Sequence, residues 1–247
     1  MSCNRLKVNP TKTEFLWAAI SWRQHFITRG QITLSGVNII PLCCVKLLGI
    51  NIDDDMSSST HISKLVSSGF FYLWQIKFIH RCLPADVTKS LVNAFVVSRL
   101  DLCNSLYANL PQAQLDWMQS VFDGAARLIF EASQFSHVTP LLRDRLHWLH
   151  CPERTRYKLC ITVFKALHGM APGYIADLCL PEVISERWSM LRSALTSGIR
   201  LAVPRWSSCT RFGDQAFRVV RPTAWNSLPE SIRLISTLNS FKQQLKT

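Results

Sequence analysis

Apolar and polar positions change period once along the chain, and the change separates two kinds of predicted element. Up to about residue 55 the short-range pattern is that of strands. Phe15-Leu16-Trp17 reads as a short apolar strand. Gln31 to Ile40 reads as a hairpin, because β-branched runs flank Ser35-Gly36 and Pro41 stops the second run. Val45 to Ile52 reads as a third strand, with Gly49 at a point of close backbone approach. From Ser57 onward apolar residues return every three or four places. Ile62, Leu65, Val66, Gly69, Phe70 and Leu73 form the stripe of an amphipathic helix capped near Ser59 or Thr60. Pro84 suits the first turn of a second helix, with Val87, Leu91, Ala94 and Phe95 as its stripe.

A third helix is predicted from about Gln112 to Phe130, with Leu115, Met118, Val121, Phe122 and Ala125 inward. Gly124 weakens its middle by about 1 kcal/mol relative to alanine. A fourth runs from about Pro152 to Leu167 and places Tyr157, Cys160, Ile161 and Phe164 on one face. Pro172-Gly173 breaks the chain before a short helix over Tyr174 to Leu178. Beyond Pro181 the period is lost, and neither strand nor helix is assignable until Phe241 and Leu245 suggest a last short helix. The expected fold class is mainly α with a small N-terminal β-hairpin element (α+β). Its divisions are 1–55, β-rich; 56–180, a helical bundle; and 181–247, an irregular Arg/Pro-rich end.

Composition adds a partner class. The 247 residues are 48% hydrophobic, ample for a core, which excludes disorder throughout. Lys+Arg 28 against Asp+Glu 16 leaves a net charge of +12, and arginine outnumbers lysine 18 to 10. The guanidinium fork favours bidentate phosphate contacts, so nucleic acid is the leading partner and acidic membrane surface the second. Nine cysteines are scattered without a CxxC pair, no signal-peptide core opens the chain, and no apolar run approaches the ~20 residues of a spanning helix. An intracellular location, nuclear and/or cytoplasmic, is expected, with the cysteines as small core residues. No block of five or more Lys/Arg residues marks nuclear entry.

Candidate chemistry is thin. Asp53-Asp54-Asp55 has the residue type for catalytic magnesium, but the only acidic residue upstream is Glu14, and a solvated turn between strand and helix is the plainer reading. His147 and His150 beside Cys151 offer two imidazoles and a thiolate, yet no second pair stands at zinc-finger spacing. Neither GxSxG, GxxxxGK[ST] nor GxGxxG occurs. The basic end is more suggestive. Arg187, Arg192, Arg200, Arg205, Arg211, Arg218 and Arg221 lie among Trp188, Trp206, Phe212, Phe217 and Trp225. That mixture pairs phosphates and stacks bases in single-stranded nucleic acid. The alternative is that the aromatics fill a core and the arginines form its solvated rim.

A set of collinear segments resembles a known family. They run from Asn4-Arg5-Leu6-Lys7-Val8-Asn9-Pro10-Thr11-Lys12 through Val45-Lys46-Leu47-Leu48-Gly49-Ile50 and Ser98-Arg99-Leu100-Asp101-Leu102-Cys103-Asn104-Ser105-Leu106. They continue with His137-Val138-Thr139-Pro140-Leu141-Leu142 and Leu167-His168-Gly169, and close on Pro222-Thr223-Ala224-Trp225-Asn226-Ser227-Leu228-Pro229. In that order they resemble the C-terminal part of the reverse transcriptases of non-LTR (LINE-like, jockey-type) retrotransposons: the last edge of the palm, the thumb and the C-terminal region.

The resemblance implies that Lys12 stands where a complete enzyme approaches the incoming nucleotide's phosphates. Leu48 and Gly49 correspond to the hairpin beneath the primer terminus. In the truncated chain the plainer reading of Lys12 is a solvated lysine before a strand, and that of Gly49 a tight packing point. The family's catalytic aspartates would lie before Met1, so Asp53 to Asp55 do not stand in for them, and Mg2+ is implied only for the complete enzyme. The expectation is a chain with no catalytic residues, metal or cofactor of its own, binding RNA or an RNA–DNA duplex with little regard to sequence. Two alternatives stand beside it. One is a relic or protein-interaction fragment that exposes parts of Phe15, Trp17, Leu48 and the first long helix. The other is the 3′ piece of a longer active RNA-directed DNA polymerase.

Overall fold

The computed structural model describes residues 9–19, 21–27, 30–179, 200–204 and 216–246. It is mainly helical with a small β element near the N-terminus. The chain divides into two compact units, Met1–Ser68 and Gly69–Thr247.

The first unit holds two separate antiparallel hairpins. Strands β1 (Ile32–Leu34) and β2 (Val37–Ile39) pair with Leu34 opposite Val37. Strands β3 (Cys44–Leu47) and β4 (Ile50–Asp53) pair with Leu47 opposite Ile50. Both loops are two residues long with positive φ at each position, Ser35 (51°) then Gly36 (82°), and Leu48 (49°) then Gly49 (89°). That backbone matches the right-handed twist of the flanking strands. The expected single strand over Val45 to Ile52 is therefore a hairpin: Gly49 is a turn residue, and its partner is a leucine in a conformation that ordinarily favours glycine or asparagine. Phe15-Leu16-Trp17 forms no strand among the described residues. It is irregular chain whose Phe15 carbonyl accepts from Leu42 N–H (2.8 Å).

Helix α1 (Ser59–Ile79) begins in the first unit and continues into the second. Its start is held by Asp53 at the end of β4, whose Oδ2 accepts from the Thr60 backbone N–H at 3.0 Å. A carboxylate there satisfies a free amide and complements the helix dipole.

In the second unit α2 (Ala85–Val92) runs into a π-turn over Asn93–Val97 and a last turn over Ser98–Leu100. The buried face of this segment is Thr88, Val92, Val96, Val97 and Leu100, whereas Val87, Ala94 and Phe95 are exposed. The expected stripe was one residue out of step. Thr88 is tolerated inside because its hydroxyl donates to the Pro84 carbonyl (3.3 Å).

Helix α3 (Gln112–Ile129) buries all five residues expected inward. Its tight contact with α1 explains two glycines. A Cβ on Gly69 would lie 2.7 Å from Val121 Cγ1, and one on Gly124 would meet Leu73 Cδ1 at 3.4 Å. The helix propensity lost at Gly124 therefore accompanies a close helix–helix approach.

Helix α4 (Cys151–Leu167) carries a well-defined core. Against it pack α5 (Gly173–Ala176), α6 (Phe217–Asn226) and α8 (Leu238–Gln244), with α7 (Glu230–Arg233) between the last two in sequence. Phe164, Trp225 and Phe241 are buried together, with the Phe164–Phe241 centroids 4.5 Å apart and Trp225–Phe241 5.7 Å apart. Pro222 sits inside α6 rather than ending it, in a helix whose inner face (Val219, Val220, Trp225) is buried. Packing outweighs the helix bond that proline removes. The described C-terminal helices thus share one unit and one core with α4.

Candidate nucleic-acid interface

The residues singled out by sequence fall into three groups. Arg187, Arg192, Arg205, Trp206, Arg211 and Phe212 lie outside the described residues. Lys12, Leu48 and Gly49 are exposed in the first unit. Lys12 ends a short 3-10 turn whose Asn9 cap accepts from Thr11, and Leu48 is 90% exposed at the tip of β3–β4. Arg200 and Arg218 are exposed in the second unit.

Arg221 requires correction. It is 1% exposed and unavailable to an external phosphate. One Nη donates to the Leu178 carbonyl, and the guanidinium lies 4.8 Å from the Phe217 ring. Burial pushes its pKa below the ordinary arginine value, with Arg218 adding to the effect. Trp225 belongs to the same interior, so in the described part of the basic end the aromatics do fill a core.

The two metal-like motifs also resolve. Asp53 is buried beneath the start of α1 instead of solvated in a turn. Asp55 closes the adjoining turn by accepting from Ser57 N–H (2.9 Å). His147 is exposed at positive φ (55°), His150 precedes α4, and Cys151 is buried. Burial pushes the Cys151 thiol up to about 11, so it is a protonated core group at neutral pH. Among the described residues no cluster of three or more His, Cys, Asp or Glu side chains is placed to hold a metal ion. None of the described helices is long and apolar enough to cross a membrane.

A different surface brings together the chemistry sought at the C-terminus. Helix α1 turns Leu73 and Ile76 inward while Phe71, Trp74 and Phe78 stand 52%, 57% and 68% exposed on the other side. These outer rings follow at i, i+3 and i+7, so they share one face. Phe71 and Trp74 are stacked at 6.4 Å, and Trp74 meets Phe78 edge-on at 4.6 Å. Tyr72 continues the row to Phe95 of the π-turn, stacked at 5.8 Å. Over Tyr72 sits Arg99, its guanidinium carbon 4.4 Å from the ring centroid and Nη2 donating to the phenol oxygen at 2.9 Å. Residues 69–100 carry Lys77, Arg81, Lys89 and Arg99 against Asp86 as the sole acid.

Sequence reasoning passed over this row because it assigned α1 a single apolar face. The missed signal was Phe70-Phe71-Tyr72-Leu73-Trp74, which is apolar all round and so has more aromatic surface than one buried face accommodates. Arg99 stands out in the sequence only as part of the family-like segment Ser98 to Leu106.

No family model, curated protein or solved structure matches the chain.

Proposed function

We propose that this chain derives from the 3′ end of a non-LTR retrotransposon reverse transcriptase and acts as a sequence-tolerant binder of RNA, alone or hybridised to DNA. The observation that carries the reading is the linked aromatic row of α1 and Phe95, with Arg99 seated on Tyr72. Exposed rings accept bases through their π-faces whatever the base, and nearby lysine and arginine pair phosphates. Four cations against one acid over residues 69–100 give the surface the sign that a polyanion needs. No catalytic step is assigned to the chain. The row favours unpaired bases over a closed duplex, whose bases present no free faces.

The test is fluorescence anisotropy of labelled oligo-U, oligo-A and an RNA–DNA hybrid across a salt series. Affinity is expected to fall about tenfold or more between about 50 mM and 200 mM salt, with little difference between the two homopolymers. Replacing Trp74 and Phe78 together by alanine should weaken oligo-U binding by about 1–3 kcal/mol for each base that stacks. Binding that ignores both salt and this double substitution would sink the reading.

A second reading, a protein-interaction fragment, draws on further exposed apolar residues of the same segment, Ile79 (50% exposed) and Val87 (42% exposed). Self-association that strengthens with salt, measured by light scattering in the absence of RNA, would favour it.

A further inference from the structure

A groove of about 660 Å³ lies in the second unit, between the residues preceding α4, α4 itself, the α6–α7 linker and the C-terminal end of α8. That volume is within the ordinary range of small-molecule sites, about 300–1,000 Å³. Its apolar walls are Trp148, Tyr157, Leu228, Ile232 and Leu245. Arg143, Arg156 and Lys246 line it as well, with Glu153 as the acid among the lining residues.

The four charges are not equivalent. Glu153 is committed twice: Oε1 pairs with Arg143 Nη2 at 3.1 Å and Oε2 accepts from the His150 backbone N–H at 3.3 Å. Arg156 is held by one arm, its Nη2 donating to the Ser227 carbonyl (3.3 Å) and hydroxyl (2.9 Å). Its remaining donors stay available in a fork already fixed in place. Lys246 lies over the Tyr157 ring, Nζ 5.9 Å from the centroid. The groove therefore carries a surplus of two positive charges beside a ring and aliphatic walls. That combination suits an anion bearing a flat apolar group.

We infer that this groove is a nucleoside-phosphate site, with the base against Tyr157 and its aliphatic neighbours and the phosphate held by Arg156, Lys246 and Arg143. The inference rests on the nucleic-acid reading for the choice of a nucleobase as the flat group. It concerns a surface other than the aromatic row of α1, so the two are separable by mutation.

The experiment is calorimetric titration of the full chain with AMP, adenosine and inorganic phosphate, repeated on Lys246→Glu and Arg143→Ala. AMP is expected to bind at least tenfold more tightly than adenosine or phosphate, and Lys246→Glu to weaken it at least tenfold. Both altered side chains are exposed, and an unchanged melting temperature confirms that the fold survives. Tyr157→Phe serves as a second check and should retain AMP binding, because the ring rather than the hydroxyl is used. AMP binding no better than phosphate, or unaffected by Lys246→Glu, overturns the inference. Oligo-U binding without AMP binding fails this inference and leaves the α1 reading standing. AMP binding without oligo-U binding does the reverse.

Discussion

Two aromatic clusters in the second unit have the same composition, two phenylalanines and one tryptophan, and opposite fates. Phe164, Trp225 and Phe241 are buried, whereas Phe71, Trp74 and Phe78 are about half or more exposed. The buried rings come from three helices distant in sequence, so each covers a side of another that its own helix cannot reach. The exposed rings come from a single helix. Neighbours at i+3 and i+4 meet edge to face or in offset stacks along the surface and leave the outward side of each ring open. Burial of a ring thus depends on contacts distant in the chain, and a run of aromatics close in sequence is as consistent with a recognition surface as with a core.

The sharpest way to break this comparison is to truncate one member of each set. Trp225→Ala should cost about 3–5 kcal/mol of stability, by loss of buried surface and creation of a cavity. Trp74→Ala should stay within about 0.5 kcal/mol, as for an ordinary surface change. Urea denaturation of both variants decides it, and equal losses would mean that the α1 row is structural.

Alkaline titration probes the buried set next. Cys160 lies in that core and burial pushes its thiol up to about 12, while Cys151 at the start of α4 is pushed up to about 11. Unfolded thiols lose their proton near the ordinary value of 9.0, so above it the unfolded chain binds fewer protons than the folded one. Stability is therefore full below about pH 9 and is lost as pH rises toward 11–12, by up to roughly 1.4 kcal/mol per pH unit for each thiol. Cys160→Ala should flatten the slope of denaturation free energy against pH in that window.

Gly69→Ala tests how the row is presented. A Cβ 2.7 Å from Val121 Cγ1 must push α1 away from α3, at a cost of about 1–3 kcal/mol. Val121→Ala in the same chain should recover part of that loss, and full additivity in the double-mutant cycle would refute the contact. The smallest effect is expected for Tyr72→Phe, which removes one exposed hydrogen bond to Arg99 but keeps the ring beneath it. Stability should change by less than about 0.5 kcal/mol, and oligo-U affinity should hold, since stacking needs no hydroxyl.

Elements governed by local rules were legible in the sequence. The Ser35-Gly36 hairpin, the start of α1, the spans of α3 and α4 and the inward face of α3 follow from period and turn chemistry, and the structure contains them. What escaped depends on partners remote in sequence or on conformations that residue type disfavours. Leu48 carries a turn geometry usually given to asparagine or glycine. Pro222 sits in a helix because Trp225 and its neighbours are buried. Arg221 resembles a phosphate ligand until Leu178 and Phe217 are placed around it. Of the candidate interface, the net charge was legible but its location was not. The exposed row differs from a core stripe only in what fails to cover it, and periodicity does not record that.

The π-turn over Asn93–Val97 has a consequence for changes of chain length. A π-turn accommodates one residue more than the α-helical path it replaces, so it behaves as a built-in insertion. The surplus residue is taken up inside the wider turn, so removing Ala94 would restore the ordinary ladder while leaving Ser98–Leu100 facing as they do. The same deletion in a regular α-helix would rotate everything downstream by about 100°. Arg99 would therefore stay over the Tyr72 ring and Leu100 in the core. A stretch that looks like an irregularity thus tolerates the loss of a residue that the regular helices of the same molecule would not.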